Sequence, residues 1–517
     1  MEIWKLPFLS RIIRLKSYKE EIELKRRIVS LLLVGVLLLT GCGSQGESSN
    51  TETNNKDSEN SSESTVINTD EIFSNRDFKT TYEENCAYIQ LNGSSATCES
   101  NAVEIHGSTI TIKDEGTYVI SGVLENGMLV VDSEETDKTQ IVLNGATIHN
   151  ESGAALYIKE SDKVFLTLEK GTENKISSGS SFETIDEEEI DGAIYSKADL
   201  TLNGDGKLSV NSPSGHGIVS KDDLIFTGGT YHVEAKTHGL SANDMLGIAD
   251  GLFTIVSGED SIHCDMNVYV EDGNFEINAT DDAFHADENL QISGGKINII
   301  NSYEGLEALD IKVTGGDVRI VADDDGLNAA GGTDSSGFGG MGNDNFGGPG
   351  QKPGNGRRGG PGGGMPGGFG GMSGSSDGSI LISGGTLYIK AYGDGIDANG
   401  TLEITGGSVT VCGPTQGDTA TLDYDVSGVI TGGTFIGTGG TMMAQSFSDS
   451  EQGVIGVKVG NQEAGTVITL KDSSGNVVIT YTPELPFAIV ILSSPEILKG
   501  ETYRITVGEN SGDFEAE

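Results

Sequence analysis

The sequence predicts an all-β chain: a right-handed parallel β-helix of coils about 22 residues long, closed by a small C-terminal β cap. Three observations predict it. Seven copies of one pattern open at His216, His238, Asp260, Asp282, Glu304, Asp325 and Asp394, each followed by a small residue and then a hydrophobic one. Within each copy the apolar residues alternate with period two, which is strand spacing. Glycine pairs such as Gly294-Gly295, Gly315-Gly316 and Gly384-Gly385 separate the strands, supplying positive φ or close backbone approach. A fixed period in this range marks stacked repeats, each burying its apolar face only against its neighbours. All copies run the same way, so equivalent strands pair parallel, and parallel crossovers are right-handed. A propeller blade would need about twice this period and four antiparallel strands.

At the N-terminus, Lys25-Arg26-Arg27, the apolar run Ile28 to Leu39 and Leu39-Thr40-Gly41-Cys42 form a bacterial lipoprotein signal. Residues 1–42 are therefore expected to be a signal peptide with Cys42 as the acylated residue. The apolar run is short for a membrane span, so attachment to the cell membrane on its extracytoplasmic side is expected through the N-terminal lipid only. Residues 43–69 are Ser, Glu, Asn and Thr with almost nothing apolar, the composition of a disordered tether. Residues 70–104 read as an N-terminal β segment and 105–440 as the β-helix.

Early coils at Ile141-Val142-Leu143, Val164-Phe165-Leu166 and Leu200-Thr201-Leu202 are irregular. Later ones place Leu224, Leu246, Val268, Leu290, Ile311, Ile380 and Leu402 in one register, and Tyr231, Phe253, Phe275, Ile297, Val318, Leu387 and Val409 in another. Residues 331–378 interrupt the period with a Gly-, Met-, Asn- and Pro-rich tract. Val318 and Leu387 lie 69 residues apart, one coil plus the tract, so the tract is a loop and the coil resumes in register. After Thr441 the period lapses, and residues 441–517 read as a small antiparallel cap that covers the open solenoid end.

Formal net charge is −46, which excludes a nucleic-acid binder held by phosphate contacts. A monomer is expected. Cys86 and Cys98 are near enough in sequence to form a disulfide, whereas Cys264 and Cys412 fall at repeat positions and read as buried thiols.

In a β-helix, residues one period apart stack vertically, so a repeated acid becomes a column of acids. The opening residues give one column, ending in Asp260, Asp282, Glu304, Asp325 and Asp394. Three residues on stand His263, His285, Glu307, Asn328 and Asp397. Two further on are Lys221, Asn243, Asp265, Asp287 and Asn399, while Asp281, Asp323 and Asp324 crowd the same corner. Unit charges about 5 Å apart repel by roughly 1 kcal/mol in water and several at an effective dielectric near 20, so a cation is expected to bridge the rungs. Hard oxygen donors at variable spacing suit Ca²⁺ better than Zn²⁺ or Mg²⁺. Turn aspartates that only satisfy backbone donors are the plainer reading. A softer metal on His263 and His285 with Asp265 and Asp287, or imidazoles that hydrogen-bond one another, are further readings.

Several phrases together resemble a known group. They are Gly116–Gly122, Gln140–Gly145, Gly217–Leu224, Gly393–Gly400, Ile404–Gly407 with Gly413–Thr415, Ser493–Pro495 and Lys499–Tyr503. Over roughly residues 100 to 510 the chain is similar to a carbohydrate-binding domain family of bacterial β-helix proteins related to pectate lyases. The resemblance implies a right-handed parallel β-helix, bound calcium, and binding of plant-type or acidic polysaccharide (pectin, polygalacturonate or a cellulose-like chain) without established catalysis. His216 and His238 stand where the family has aspartate, so calcium is expected only in the later coils.

The expected function is thus surface-anchored, calcium-dependent, non-catalytic polysaccharide binding. A calcium-dependent lyase would need a Lys or Arg base, but Lys296, Lys312, Arg319 and Lys390 belong to no basic cluster in the sequence. A hydrolase would need one carboxylate pair, and acids repeated coil after coil read as metal ligands instead. A structural or adhesive surface scaffold is the third class. The single tryptophan, Trp4, falls in the signal, so stacking against sugar is expected from Tyr269, Tyr303, Tyr388 and Tyr392, with Tyr231 and Phe253 facing the core.

Overall fold

The computed structural model describes residues 72–83, 86–185, 189–330, 378–415, 417 and 419–517. The lipoprotein signal with Cys42, the tether and all but the last residue of the Gly-rich tract lie outside the described residues. Every named element among those described is a β-strand, and no helix among them is long and apolar enough to cross a membrane.

Three parallel ladders run the length of the solenoid, as the period requires. On the first face Ile218 pairs with Leu240, then Ile262, Phe284, Leu306, Leu327 and Ile396 follow in turn. On the second, Leu224, Leu246, Val268, Leu290, Ile311, Ile380 and Leu402 stand in register. The third carries Tyr231, Phe253, Phe275, Ile297, Val318, Leu387, Val409 and Phe435. These side chains all point inward and are buried, so period-two alternation becomes one continuous core. Leu327 pairs with Ile396 and Val318 with Leu387; the coil therefore resumes in register beyond the Gly-rich tract.

The turn between second and third faces needs glycine for two reasons. Gly316, Gly385 and Gly407 adopt φ of 91°, 79° and 80°, a region that L side chains rarely enter. A Cβ on Gly385 would also lie 2.7 Å from the Gly315 carbonyl carbon and the Gly316 oxygen of the preceding coil.

Parallel pairing begins with Ala87–Gly93, which aligns with Tyr118 to Leu124. The hairpins Gln90↔Thr97 and Val103↔Ile112 are antiparallel and turn the first edge away from solvent-borne partners. At the far end Thr434–Gly439 pairs antiparallel with Phe487–Ser493, which pairs in turn with Val454–Gln462. A separate four-stranded antiparallel sheet follows, and its last strand, Asn510–Glu515, was not anticipated. Cys264 and Cys412 are buried thiols, and Cys86 and Cys98 are free thiols rather than a disulfide.

Residues 72–83 lie as a strap across the second face. Asp77 is 1% exposed, accepts from Ser74 N–H and Thr201 Oγ1–H at 2.8 and 2.6 Å, and meets Lys163 Nζ at 3.0 Å. Its carbonyl accepts from Asn203 and Thr227. Gly247 makes room for the strap: a Cβ there would approach Ile72 at 2.8 Å and Phe73 at 3.2 Å. Thr201→Val removes a hydrogen bond to a buried charge, an interaction worth about 1.5–3 kcal/mol. Chemical denaturation should show a loss in that range with an unchanged m-value.

Candidate metal centre and ligand face

The corner that leads into the first face carries the residues that open each coil, and one backbone requirement explains why they are polar. Six of the seven accept the N–H of the residue one coil further on. His238 N donates to His216 Nδ1 at 3.2 Å, Asp260 N to His238 Nδ1 at 3.2 Å, and Asp282 N to Asp260 Oδ1 at 3.0 Å. Glu304 N then donates to Asp282 Oδ1 at 3.2 Å, Asp394 N to Asp325 Oδ1, and Ala420 N to Asp394 Oδ1. Backbone donors beside a core must be paired, so one oxygen of these acids is structural. Histidine can replace aspartate here because Nδ1 stands where Oδ1 would. The acid keeps its second oxygen for other work.

In the earlier coils that second oxygen goes to imidazoles. His216, His238, His263 and His285 form a ladder of near-parallel rings with centroids 4.9, 4.3 and 4.9 Å apart. Two of these rings start from the opening column and two from the column three residues on, so column assignment alone did not reveal the stack. Asp260 Oδ2 lies 3.2 Å from His238 Nδ1 and 2.9 Å from His263 Nδ1, while His263 Nε2 meets Asp265 at 3.3 Å. His285 Nδ1 lies 2.6 Å from Glu307 and 3.3 Å from Asp282, with Nε2 3.2 Å from Asp287. Asp260, Asp265, Asp282, Asp287 and Glu307 are therefore engaged with histidine. In those coils the expected calcium ligands therefore stand among mixed nitrogen and oxygen donors rather than oxygen alone.

Burial alone would lower His263, but its hydrogen bonds to Asp260 and Asp265 outweigh it and raise the ring to about 9. His285 is likewise lowered by burial, yet Asp282, Asp287 and Glu307 raise it well above the usual range. His216 goes the other way, lowered to about 3 by burial and by the neighbouring His238. A base whose pKa rises on folding adds stability below its unfolded value near 6.5, and that stability fades as pH climbs through about 9. The chelator-treated chain should therefore lose melting temperature between pH 6.5 and 9. His263→Gln should flatten that slope, read by thermal unfolding across the range.

In the later coils the corner is all oxygen. One carboxylate oxygen from each of Asp325, Asp394 and Asp397 lies within 4.8 Å of the others. Asn328 and Asp397 are consecutive rungs of the first face, with Asn328 2% exposed. Burial, reinforced by Glu304, Asp394 and Asp324, pushes Asp325 up to about 10. Carboxylates this close cannot all ionise unless a cation joins them, and oxygen-only donors suit Ca²⁺. Glu304 and Asp324 lie beside this group, Asp323 precedes Asp324 on the same turn, and Asn399 follows directly on the strand Ile396–Ala398. Asp281 sits higher, beside Asp260 and Asp282, its carboxyl raised by burial and by Asp260.

The four tyrosines divide. Ala322 pairs with Ala391, which places Tyr392 one coil beyond Asp323. Tyr303, whose carbonyl accepts from Asp324 N at 2.9 Å, sits one coil before. Both are half-buried and flank the Asp323–Asp325 turn. Tyr269 is instead 2% exposed, packed at 6.0 Å against Phe73 of the strap, and offers no stacking surface. Tyr388 lies on the third face with the Arg319 guanidinium 4.2 Å over its ring. Arg319 and Lys390 are tied to Glu484 at 3.2 and 3.4 Å. Tyr231 and Phe253 are in the core. A second acidic group, Asp199, Asp222 and Asp223, was not singled out, although Asp222-Asp223 is visible as a doublet; burial and Asp199 push Asp223 up to about 6.

Comparison with known proteins adds a family. Residues 106–340 match the model of a family described as carbohydrate-binding domain-containing protein. A carbohydrate-binding domain-containing protein of Acetivibrio thermocellus is 26% identical over 215 residues, 41% of this chain and 66% of that protein's length. A solved structure described as a polysaccharide lyase-like protein from C. thermocellum, a gadolinium derivative, is 27% identical. It covers 47% of this chain and 96% of that one with a TM-score of 0.40. Over residues 106–340, then, the chain is similar to the carbohydrate-binding family that its sequence phrases resemble.

Proposed function

We propose that this chain is a non-catalytic binder of acidic polysaccharide, held by Cys42 lipid on the extracytoplasmic face of the cell membrane and acting through calcium in its later coils. The observation that carries the reading is the oxygen-only group Asp325, Asp394 and Asp397, flanked by Tyr303 and Tyr392. Asp323, Asp324, Glu304, Asn328 and Asn399 would complete the calcium shell, which takes six to eight oxygens. A bound ion would leave part of its coordination for a uronate carboxylate, turning a repulsive surface into an attractive one. The tyrosine rings would lie against the sugar faces.

Binding is favoured over lyase chemistry by where the bases lie. The charges that bear most on Asp325 are carboxylates, while Arg319 and Lys390 are paired with Glu484 on the third face. The test is a glycan array with Ca²⁺ and with EGTA, run beside an ultraviolet assay for unsaturated uronide. Polygalacturonate retention that drops at least tenfold in EGTA, without absorbance, supports the reading. Rising absorbance makes the chain a lyase, and retention of no glycan under either condition moves it to a scaffold.

A further inference from the structure

We propose that Asp282, His285 and Glu307 form a second metal centre, specific for a divalent first-row transition ion of the Zn²⁺ class. The site is separate from the oxygen-only group and does not depend on the calcium reading. Three donors converge: His285 Nδ1, Asp282 Oδ2 at 3.3 Å from it, and Glu307 Oε2 at 2.6 Å. All three lie within 4.8 Å of one another. Donor atoms around a tetrahedral ion with bonds of about 2.0–2.1 Å stand roughly 3.3 Å apart, so His285 and Asp282 already have that spacing and Glu307 would draw back from His285 by several tenths of an ångström. Ca²⁺ needs longer bonds and six to eight oxygens, which a nitrogen and two carboxylates do not supply.

Orientation is the second and independent observation. His285 Nε2 meets Asp287 Oδ1 at 3.2 Å, a partner that can hold the Nε2–H while an ion replaces the proton that Nδ1 shares with the two acids. Metal-binding histidines nearly always donate their other ring nitrogen in this way. Asp282 is held too, because its Oδ1 accepts Glu304 N–H at 3.2 Å, leaving Oδ2 for the ion. Asp282 and Glu307 are 6% and 5% exposed, so a bound ion would be largely dry, with water able to complete its shell. Asp287, assigned above to the calcium corner from sequence, acts here as the orienting residue.

The neighbouring group His238, Asp260 and His263 lacks this convergence. His238 and His263 are stacked at 4.3 Å with planes 13° apart, so their in-plane lone pairs run nearly parallel. His238 Nδ1 already accepts Asp260 N–H. The ladder therefore ends in a single site, at the ring whose carboxylate partners come from two different coils.

The test titrates the full chain, carrying no histidine tag and stripped with EDTA, with Co²⁺ while the visible spectrum is recorded. One equivalent should develop the intense d–d bands of a four- or five-coordinate ion, be displaced by Zn²⁺, and persist in millimolar Ca²⁺. Asp287→Asn keeps all three donors and should weaken Co²⁺ binding 10- to 100-fold, the usual cost of losing an orienting partner. His285→Ala should abolish the bands; Asp287→Asn decides the matter if that variant does not fold. A spectrum like aqueous Co²⁺, displacement by Ca²⁺, or Asp287→Asn affinity equal to the parent would overturn the proposal.

Discussion

Phe253→Ala is expected to cost about 3–5 kcal/mol of folding stability, the range for deleting a large buried aromatic side chain. Phe253 is 2% exposed and sits at the middle of a core stack, 5.0 Å from the Tyr231 ring and 4.8 Å from Phe275, with planes 18° and 5° apart. Phe226 closes a third side edge-on at 5.3 Å. The cavity would open between coils whose backbones are locked by ladders on three faces, so collapse around it is restricted and the cost should fall in the upper half of the range. Because each coil touches only its neighbours, loss of one layer also weakens the coupling between the halves of the solenoid. Calorimetry should show a lower melting temperature, and a split of one transition into two if the coupling falls far enough. A shift of under 1 kcal/mol in chemical denaturation would mean that the stack is not rigidly held.

How much of this was legible in the chain depends on the distance over which each feature is determined. The parallel β-helix was legible because its pairing is local in period: Ile262 finds Phe284 and Leu306 at 22-residue steps, and one coil plus the Gly-rich tract, 69 residues, places Asp325 next to Asp394. The polar corner was legible for the same reason. Its chemistry was only half so. The two polar columns look independent in sequence, yet the rings of His238 and His263 reach from one toward the other and stack, which sets imidazoles beside five of the expected calcium ligands. Tyr269 and Tyr388 failed as sugar platforms because their covers come from far away in sequence. Phe73 reaches Tyr269 from the strap, and Arg319 lies over Tyr388 from the preceding coil, steered by Glu484 of the cap. No periodicity carries that information. Tyr303 and Tyr392 stand beside the acids because the same turn positions both.

Asp397→Asn separates a calcium ligand from a structural acid, since the two roles predict opposite signs. Asp397 belongs to the column that faces outward, not to the opening column whose oxygens hold backbone N–H groups. With no ion bound it adds a third carboxylate within 4.8 Å of Asp325 and Asp394. At 4.8 Å a pair of ionised carboxylates repels by about 3.5 kcal/mol at an effective dielectric near 20, a cost the group lessens only by keeping Asp325 protonated. Neutralising Asp397 without changing its shape should therefore raise the melting temperature in EGTA. In calcium the order should reverse: one fewer charged ligand is expected to weaken Ca²⁺ at least tenfold, about 1.4 kcal/mol, and to shrink the calcium-induced rise in melting temperature by linkage. Paired thermal scans of parent and variant, with EGTA and with millimolar calcium, read both signs in one experiment. Destabilisation under both conditions would assign Asp397 to the scaffold and remove calcium from this corner. Unchanged scans under both would mean that the three carboxylates share their charge with neither an ion nor one another.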